Sequence, residues 1–251
     1  MSLFVLSDLH IWGADDPIYR SLLEVIKNKA VKGDTLVLAG DVFELFVGDK
    51  PIFTERYREF IDELSAAEKR GVKIHYIEGN HDFLMKKVFE AHPGIRIHPK
   101  EFSEEMGGKR FYFAHGDLVD RTDYSYLALR IFLRSPLMKA LVGITPGSLL
   151  DRIGNRSSQL SQKKNQRLPA RLSTEKIQGL RKMYRSFAAE QLNQGYDFVV
   201  MGHCHDLDEM CFMIGGRQGQ YMNVGFPRVH GSFLSWTPGE EKITREPLPT
   251  V

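Results

Sequence analysis

Apolar residues in this chain come in short runs that end abruptly in polar side chains. Phe4-Val5-Leu6 runs into Ser7-Asp8-Leu9-His10, and Leu36-Val37-Leu38-Ala39 into Gly40-Asp41-Val42-Phe43-Glu44. Ile74-His75-Tyr76-Ile77 runs into Glu78-Gly79-Asn80-His81-Asp82. Phe111-Tyr112-Phe113-Ala114 ends in His115-Gly116-Asp117, and Phe198-Val199-Val200-Met201 in Gly202-His203-Cys204-His205. Short apolar runs bounded by turn residues read as buried strands, and their carboxyl ends form the ligand crevice of an α/β sheet. Between the first runs the period changes. Pro17 opens a predicted helix to about Val31, with Ile18, Leu22, Leu23 and Ile26 at helical spacing, stopped by Lys32-Gly33-Asp34. A second helix is predicted over 53–70 and a short one over 83–90. This strand–loop–helix alternation argues for a mostly parallel sheet with right-handed crossovers.

Further along, Glu101–Met106 and Lys109–Ala114 flank Gly107-Gly108 and read as a hairpin. Tyr124 to Leu150 is apolar and helical in character, broken by Pro136, Gly143 and Pro146. A helix over 173–194 leads back to the sheet, and the tail reads as short antiparallel strands over 207–214, 219–224, 229–236 and 241–247. The stretch 118–170 is expected to be a helical insertion above the catalytic edge of one domain spanning 1–251.

Composition changes this picture little. At 251 residues, 42% hydrophobic and 26% charged, the chain is ordinary globular material with enough apolar residues for a sizeable core. A net charge of +2 does not point to nucleic acid. Two cysteines make no disulfide framework and suit a reducing compartment. No signal peptide and no transmembrane helix are expected. The distribution of charge matters more than its sum. Residues 152–185 carry ten Lys or Arg against one acid, Glu175.

The strand ends carry the chemistry. Asp8, His10, Asp41, Asn80, His115, His203 and His205 combine carboxylate and amide oxygen with imidazole, a set that suits Mn, Fe or Zn. Seven such groups are too many for one ion and fit a pair about 3.5–4 Å apart, the arrangement used for phosphate chemistry. Asp41 is the natural centre, because one carboxylate can bridge two ions. Taken singly, Asp-x-His, a lone Gly-Asp or Asn-His-Asp are ordinary turn sequences. Five of them in order, each closing an apolar run, are not.

That ordered set resembles the calcineurin-like metallophosphoesterase superfamily over almost the whole chain. The resemblance implies an α/β sandwich of two mixed sheets flanked by helices, here with a helical insertion as a lid. It implies one ion on Asp8, His10, Asp41 and His205, a second on Asp41, Asn80, His115 and His203, and in-line attack of water on phosphorus. Within the superfamily the chain resembles the UDP-2,3-diacylglucosamine hydrolases of lipid A biosynthesis. The likeness rests on Phe43-Glu44, Gly48-Asp49, Asp82-Phe83-Leu84, His115-Gly116-Asp117 with Asp123 and Tyr126, the basic insert, Asn223-Val224-Gly225 and Gly231-Ser232-Phe233-Leu234. It implies a pyrophosphatase that releases UMP and 2,3-diacylglucosamine 1-phosphate, usually with manganese, in the cytoplasm and peripheral on the inner membrane. Those enzymes typically carry Arg after the metal-binding Asn. Here His81 follows Asn80, as in the wider superfamily, where such a His is a general acid or electrostatic stabiliser and Glu44 occupies the place of the acid that orients it.

The insert offers candidate substrate contacts. Arg152, Arg156, Lys163 and Lys164 could hold phosphates of a nucleotide or of anionic lipid headgroups, with Ser157 adding a hydrogen bond. Asn80 and His203 would contact substrate as well as metal, and Asp123 and Tyr126 follow from the resemblance alone. Leu127, Leu129, Ile131, Phe132, Leu133, Leu137, Met138, Leu141, Val142, Leu149 and Leu150 could hold acyl chains or be the core of a helical hairpin. Three functions stay open: hydrolysis of a nucleotide-linked lipid at a membrane surface, hydrolysis of a soluble nucleotide or other phosphoester, and a non-catalytic scaffold. Retention of all seven ligands argues against the last.

Overall fold

The computed structural model describes residues 1–48, 50–152, 156 and 174–250. Asp49, Ser157, Lys163 and Lys164 therefore lie outside the described residues. Thirteen strands are described. The first sheet contains β1 (Leu3–Leu6), β2 (Thr35–Leu38), β4 (Lys73–Ile77), β6 (Ile95–His98), β12 (Ser232–Trp236) and β13 (Thr244–Pro247), in the order β13-β12-β1-β2-β4-β6. β1, β2, β4 and β6 run parallel, and β12 and β13 close the edge antiparallel. The second contains β7 (Phe102–Met106), β8 (Lys109–Phe113), β9 (Phe198–Met201), β10 (Glu209–Ile214) and β11 (Arg217–Asn223), in the order β10-β11-β9-β8-β7. It too is mixed, since β8, β9 and β11 are parallel and both edges antiparallel. The α/β sandwich of two mixed sheets is as expected. The parallel β9–β11 pairing corrects the reading of the tail as wholly antiparallel.

Strand alternation sorts the core into layers. Leu3 and Val5 of β1, with Trp236 of β12, face the second sheet and pack against its Phe111, Phe113, Phe198 and Val200. Phe4 and Leu6 face the other way, onto α1 (Pro17–Glu24) and α3 (Arg58–Lys69). The outer face of the second sheet is covered by α6 (Thr174–Asn193) through Tyr184, Ala188 and Leu192. Each fully buried Phe or Leu is worth about 1.5–3 kcal/mol. These layers hold the strand ends rigid.

Several boundaries differ from expectation for local reasons. α1 ends at Glu24 and continues only as a π-helical turn over Val25–Lys29. The helix predicted over 53–70 is two helices, α2 (Pro51–Arg56) and α3, separated at Tyr57. Instead of a helix over 83–90, Asp82–Phe83 (β5) pairs with Phe46–Val47 (β3), and only Met85–Lys87 forms a 3₁₀ turn. The Phe46 amide donates to His81 O at 3.0 Å, which ties the two loops together. The strand expected from 229 begins at Ser232, because Pro227 starts a short helix, α7 (Pro227–His230), closed by left-handed Gly231. No described helix is long and apolar enough to cross a membrane.

Away from the strand ends, His75 of β4 is buried, stacked on Phe102 at 4.4 Å between centroids, with its Nε2 lacking a hydrogen-bond partner among the described residues. Burial, reinforced by neighbouring His98, pushes its pKa down to about 4. The unfolded chain therefore binds this proton below about pH 6.5 while the folded one refuses it until about pH 4. Stability should fall as pH drops through that window, by about 2 kcal/mol at pH 5 from this group. Urea unfolding midpoints between pH 7 and 4.5 should show the slope in wild type and a shallower one in His75→Phe.

Candidate metal centre

The two sheets bring their parallel strand ends to one edge, and there the backbone reverses sharply. Asp8, His10, Asp41, His203 and His205 all have positive φ, between 47° and 69°. Non-glycine residues held in this region cost about 1–3 kcal/mol each and cluster at functional sites. The gain is convergence. His10 Nε2 lies 3.2 Å from His205 Nε2, and His205 Nε2 3.4 Å from Asp8 Oδ1. His115 Nε2 lies 3.1 Å from Asn80 Oδ1, 3.2 Å from His203 Nδ1 and 3.3 Å from Asp41 Oδ2. Asp41 Oδ2 is also 3.9 Å from His10 Nε2, so this carboxylate stands between the two groups.

The donor set fits divalent ions. Asp8, His10 and His205 form one group able to hold a metal, and Asp41, His115 and His203 another. With ligand bonds of about 2.0–2.2 Å, neighbouring ligand atoms fall roughly 3 Å apart, as they do here. Ring tautomers agree. His10 Nδ1 faces the Glu44 carboxylate at 2.9 Å, and His115 Nδ1 faces the Ala39 carbonyl at 2.9 Å. Each Nδ1–H donates to its acceptor, which leaves the Nε2 lone pair for a metal, the outer-shell pattern of metal-binding histidines. A third group, His10, Glu44 and His81, shares His10 with the first, but its Glu44 contact uses the Nδ1 face.

Electrostatics point the same way. Burial opposes charge on His115, yet the Asp41, Asp8 and Asp117 carboxylates outweigh it and hold the pKa up to about 10. Burial and that neighbouring cation push His203 down to about 4. Against burial, His115 and His81 hold Asp41 well below the usual carboxylate range. A site that retains a buried proton this strongly has the negative charge to bind a cation in its place.

Glu44 corrects an expectation. Its carboxylate orients His10, with 2.9 Å to Nδ1, whereas His81 Nδ1 is held by the Glu44 backbone carbonyl at 2.8 Å and lies 3.9 Å from the carboxylate. His81 thus keeps its proton on Nδ1, with a quarter of the side chain exposed. Burial works against its charge, but Asp41 and Glu44 raise its pKa.

The loops are braced by residues whose roles the sequence reading missed. Asp82 Oδ1 accepts from the amides of Asp41 (3.0 Å) and Gly79 (2.9 Å), and Oδ2 from Val42 N (2.8 Å) and Tyr76 Oη (2.5 Å). Burial and the Asp41 charge push its pKa up to about 7. Asp41 Oδ1 in turn accepts from the amides of Asn80 and His81. A Cβ on Gly79 would overlap Asp41, so only glycine allows this approach. Phe226 stacks on His205 at 4.5 Å, and Arg228 donates to His10 O at 2.7 Å. Cys204 is partly exposed, and its Sγ accepts a hydrogen bond from Asn223 Nδ2.

The candidate substrate contacts divide. Asn80 and His203 lie in the centre. Asp123 is exposed and caps α4 (Tyr124–Leu133), its carboxylate accepting from Tyr126 N. Tyr126 donates its hydroxyl to Asp117 Oδ2 at 2.6 Å. Arg152 and Arg156 are exposed. α4 buries no residue and α5 (Pro136–Ile144) buries only Val142, so α4 is not the core of a helical hairpin. Tyr124 and Ile131 of α4 and Leu137 and Ile144 of α5 are more than 60% exposed, so both helices turn apolar side chains outward.

Comparison with known proteins agrees with this geometry. The profile of the family described as calcineurin-like phosphoesterase matches residues 1–207. The UDP-2,3-diacylglucosamine hydrolase of Aeromonas salmonicida is 26% identical over 265 aligned positions, which cover 100% of this chain and 96% of that protein. The protein of the same name from Yersinia pestis is 31% identical over 175 positions, 67% of this chain and 71% of its own. Among solved structures, an archaeal phosphodiesterase aligns with a TM-score of 0.46 at 13% identity, covering 99% of this chain and 100% of its own. A phosphoesterase from E. coli aligns at 0.42 and 17%, with 99% and 100% covered.

Proposed function

This chain belongs to the calcineurin-like phosphoesterase family and is a metal-dependent hydrolase, and on that footing we propose that it cleaves UDP-2,3-diacylglucosamine into UMP and 2,3-diacylglucosamine 1-phosphate. The observation that carries the substrate is the outward apolar surface of α4 and α5, which follows directly on the loop of His115. A diphosphate head with two acyl chains needs an ion site and an apolar surface side by side, and a small soluble nucleotide gains nothing from the latter. The named relatives supply the particular lipid. The same surface would seat the protein on the inner membrane from the cytoplasmic side.

Asp8, His10, Asp41 and His205 would hold one divalent ion, and Asp41, Asn80, His115 and His203 the other, with Mn²⁺ the expected metal. Ions held there supply Lewis-acid polarisation of phosphoryl oxygens and activation of water. The protein's own part is positional and protonic. Glu44 and Ala39 O fix the rings of His10 and His115. His81, whose pKa the nearby carboxylates raise, would donate a ring proton to a phosphoryl or leaving-group oxygen. One water adds across the anhydride, so the oxygen enters at one phosphorus and its protons pass to the products.

The most exposed isoleucines make a clean test of the surface. Ile131→Ser and Ile144→Ser, 73% and 81% exposed, should leave the fold intact. Losing an apolar contact of about 1.5 kcal/mol should raise KM for the long-chain substrate roughly tenfold each. Hydrolysis of bis(p-nitrophenyl) phosphate should stay unchanged. Equal losses on both substrates would remove the acyl-surface argument. A second reading, hydrolysis of a small phosphodiester, draws on His81 standing where the lipid enzymes typically carry Arg, and predicts efficient turnover of that substrate alone.

A further inference from the structure

Helix α4 is amphipathic in the reverse sense. Ile131 and Leu129 point outward, 73% and 52% exposed. Tyr126, Arg130 and, just past the helix end, Arg134 recur at four-residue spacing and share the other face. That polar stripe lands on two loops of the metal centre. Tyr126 Oη and Arg130 Nε each lie 2.6 Å from Asp117 Oδ2, two residues beyond His115. Arg134 Nη2 donates to the carbonyls of Glu78 (3.2 Å) and Gly79 (3.0 Å), the two residues before Asn80. Its Nε is buried with no hydrogen-bond partner among the described residues, and the Glu78 carboxylate is 3.8 Å away.

Burying a guanidinium is costly unless its donors are met. Here two backbone carbonyls meet Nη2 and the Glu78 carboxylate lies 3.8 Å from Nε, so the side chain ties the end of α4 to the 78–81 turn. Asn80 and His115 meet at 3.1 Å and belong to the same half of the centre. Among the described residues, none of the three stripe side chains hydrogen-bonds Asp8, His10 or His205, the other half.

We infer that Arg134 is a positioning residue for the Asn80–His115 half of the metal centre, so that the helix carrying the apolar surface also sets the affinity of one ion. This rests on the two-ion reading above and needs no particular substrate. The test is Mn²⁺ titration of the full chain by calorimetry and electron paramagnetic resonance. Wild type should bind two ions. Arg134→Met should weaken one of them about tenfold or more, the usual cost of losing an outer-shell partner, and leave the other unchanged. Adding Arg134→Met to Asn80→Ala should cost nothing further, because both act through one contact, whereas its effect should add to that of His10→Ala. Arg134→Lys, which keeps a donor, should recover part of the loss, and the same titration on it decides the matter if the Met variant does not fold. Unchanged affinities, equal weakening of both ions, or additivity with Asn80→Ala would overturn the inference. A wild type that binds a single Mn²⁺ would overturn the two-ion reading and this inference with it, while leaving the substrate question to turnover assays.

Discussion

Asp41→Ala should lose turnover of every phosphoester together, by roughly a thousandfold or more. The carboxylate does two jobs at once. Oδ2 stands between His115 and His10, where a shared ligand would join the two halves of the centre. Oδ1 accepts the amides of Asn80 and His81 and so fixes the turn that presents both side chains. Truncation removes the bridge and frees the turn. Metal analysis of the purified variant should show fewer than two bound ions. Near-native turnover with both ions retained would show that Asp41 is not the bridge.

His81→Ala should lower kcat by roughly 10²–10⁴, the range for a general acid–base group, and leave metal content unchanged. Its Nδ1 is committed to the Glu44 carbonyl, and Asp41 and Glu44 raise its pKa against burial. Loss of an ion in this variant would make His81 a ligand instead. His81→Arg keeps the cation without the imidazole proton. If the lipid precursor is still hydrolysed by that variant, a positive charge at this position is what the reaction needs.

The strand ends were legible because a buried strand writes itself as an apolar run and its polar terminus follows at once. Asp8, Asp41 and His115 could be read in that way, and so could the mixed α/β sandwich through the family likeness. Other features leave no such trace. The ladder between Phe46–Val47 and Asp82–Phe83 has two residues per strand, too few for any period to appear. The bracing by Asp82 depends on four donors that converge only when two loops fold together. The family likeness pairs Glu44 with His81, but the carboxylate lies 2.9 Å from His10 Nδ1 while the Glu44 backbone carbonyl takes His81 Nδ1. α4 misleads most. Apolar residues at helical spacing normally mark a core face, but here Tyr126, Arg130 and Arg134 turn inward and the apolar side faces out. The tyrosine–arginine spacing of four was the available signal.

The central claim, a two-metal hydrolase whose apolar helices select a lipid-linked nucleotide, is tested most directly by product analysis. Wild-type protein loaded with Mn²⁺ is incubated with UDP-2,3-diacylglucosamine beside bis(p-nitrophenyl) phosphate, and products are identified by mass spectrometry. The expected result is UMP and 2,3-diacylglucosamine 1-phosphate, formed at a kcat/KM well above that for the small diester. Brisk hydrolysis of the diester with the lipid precursor left intact would contradict it.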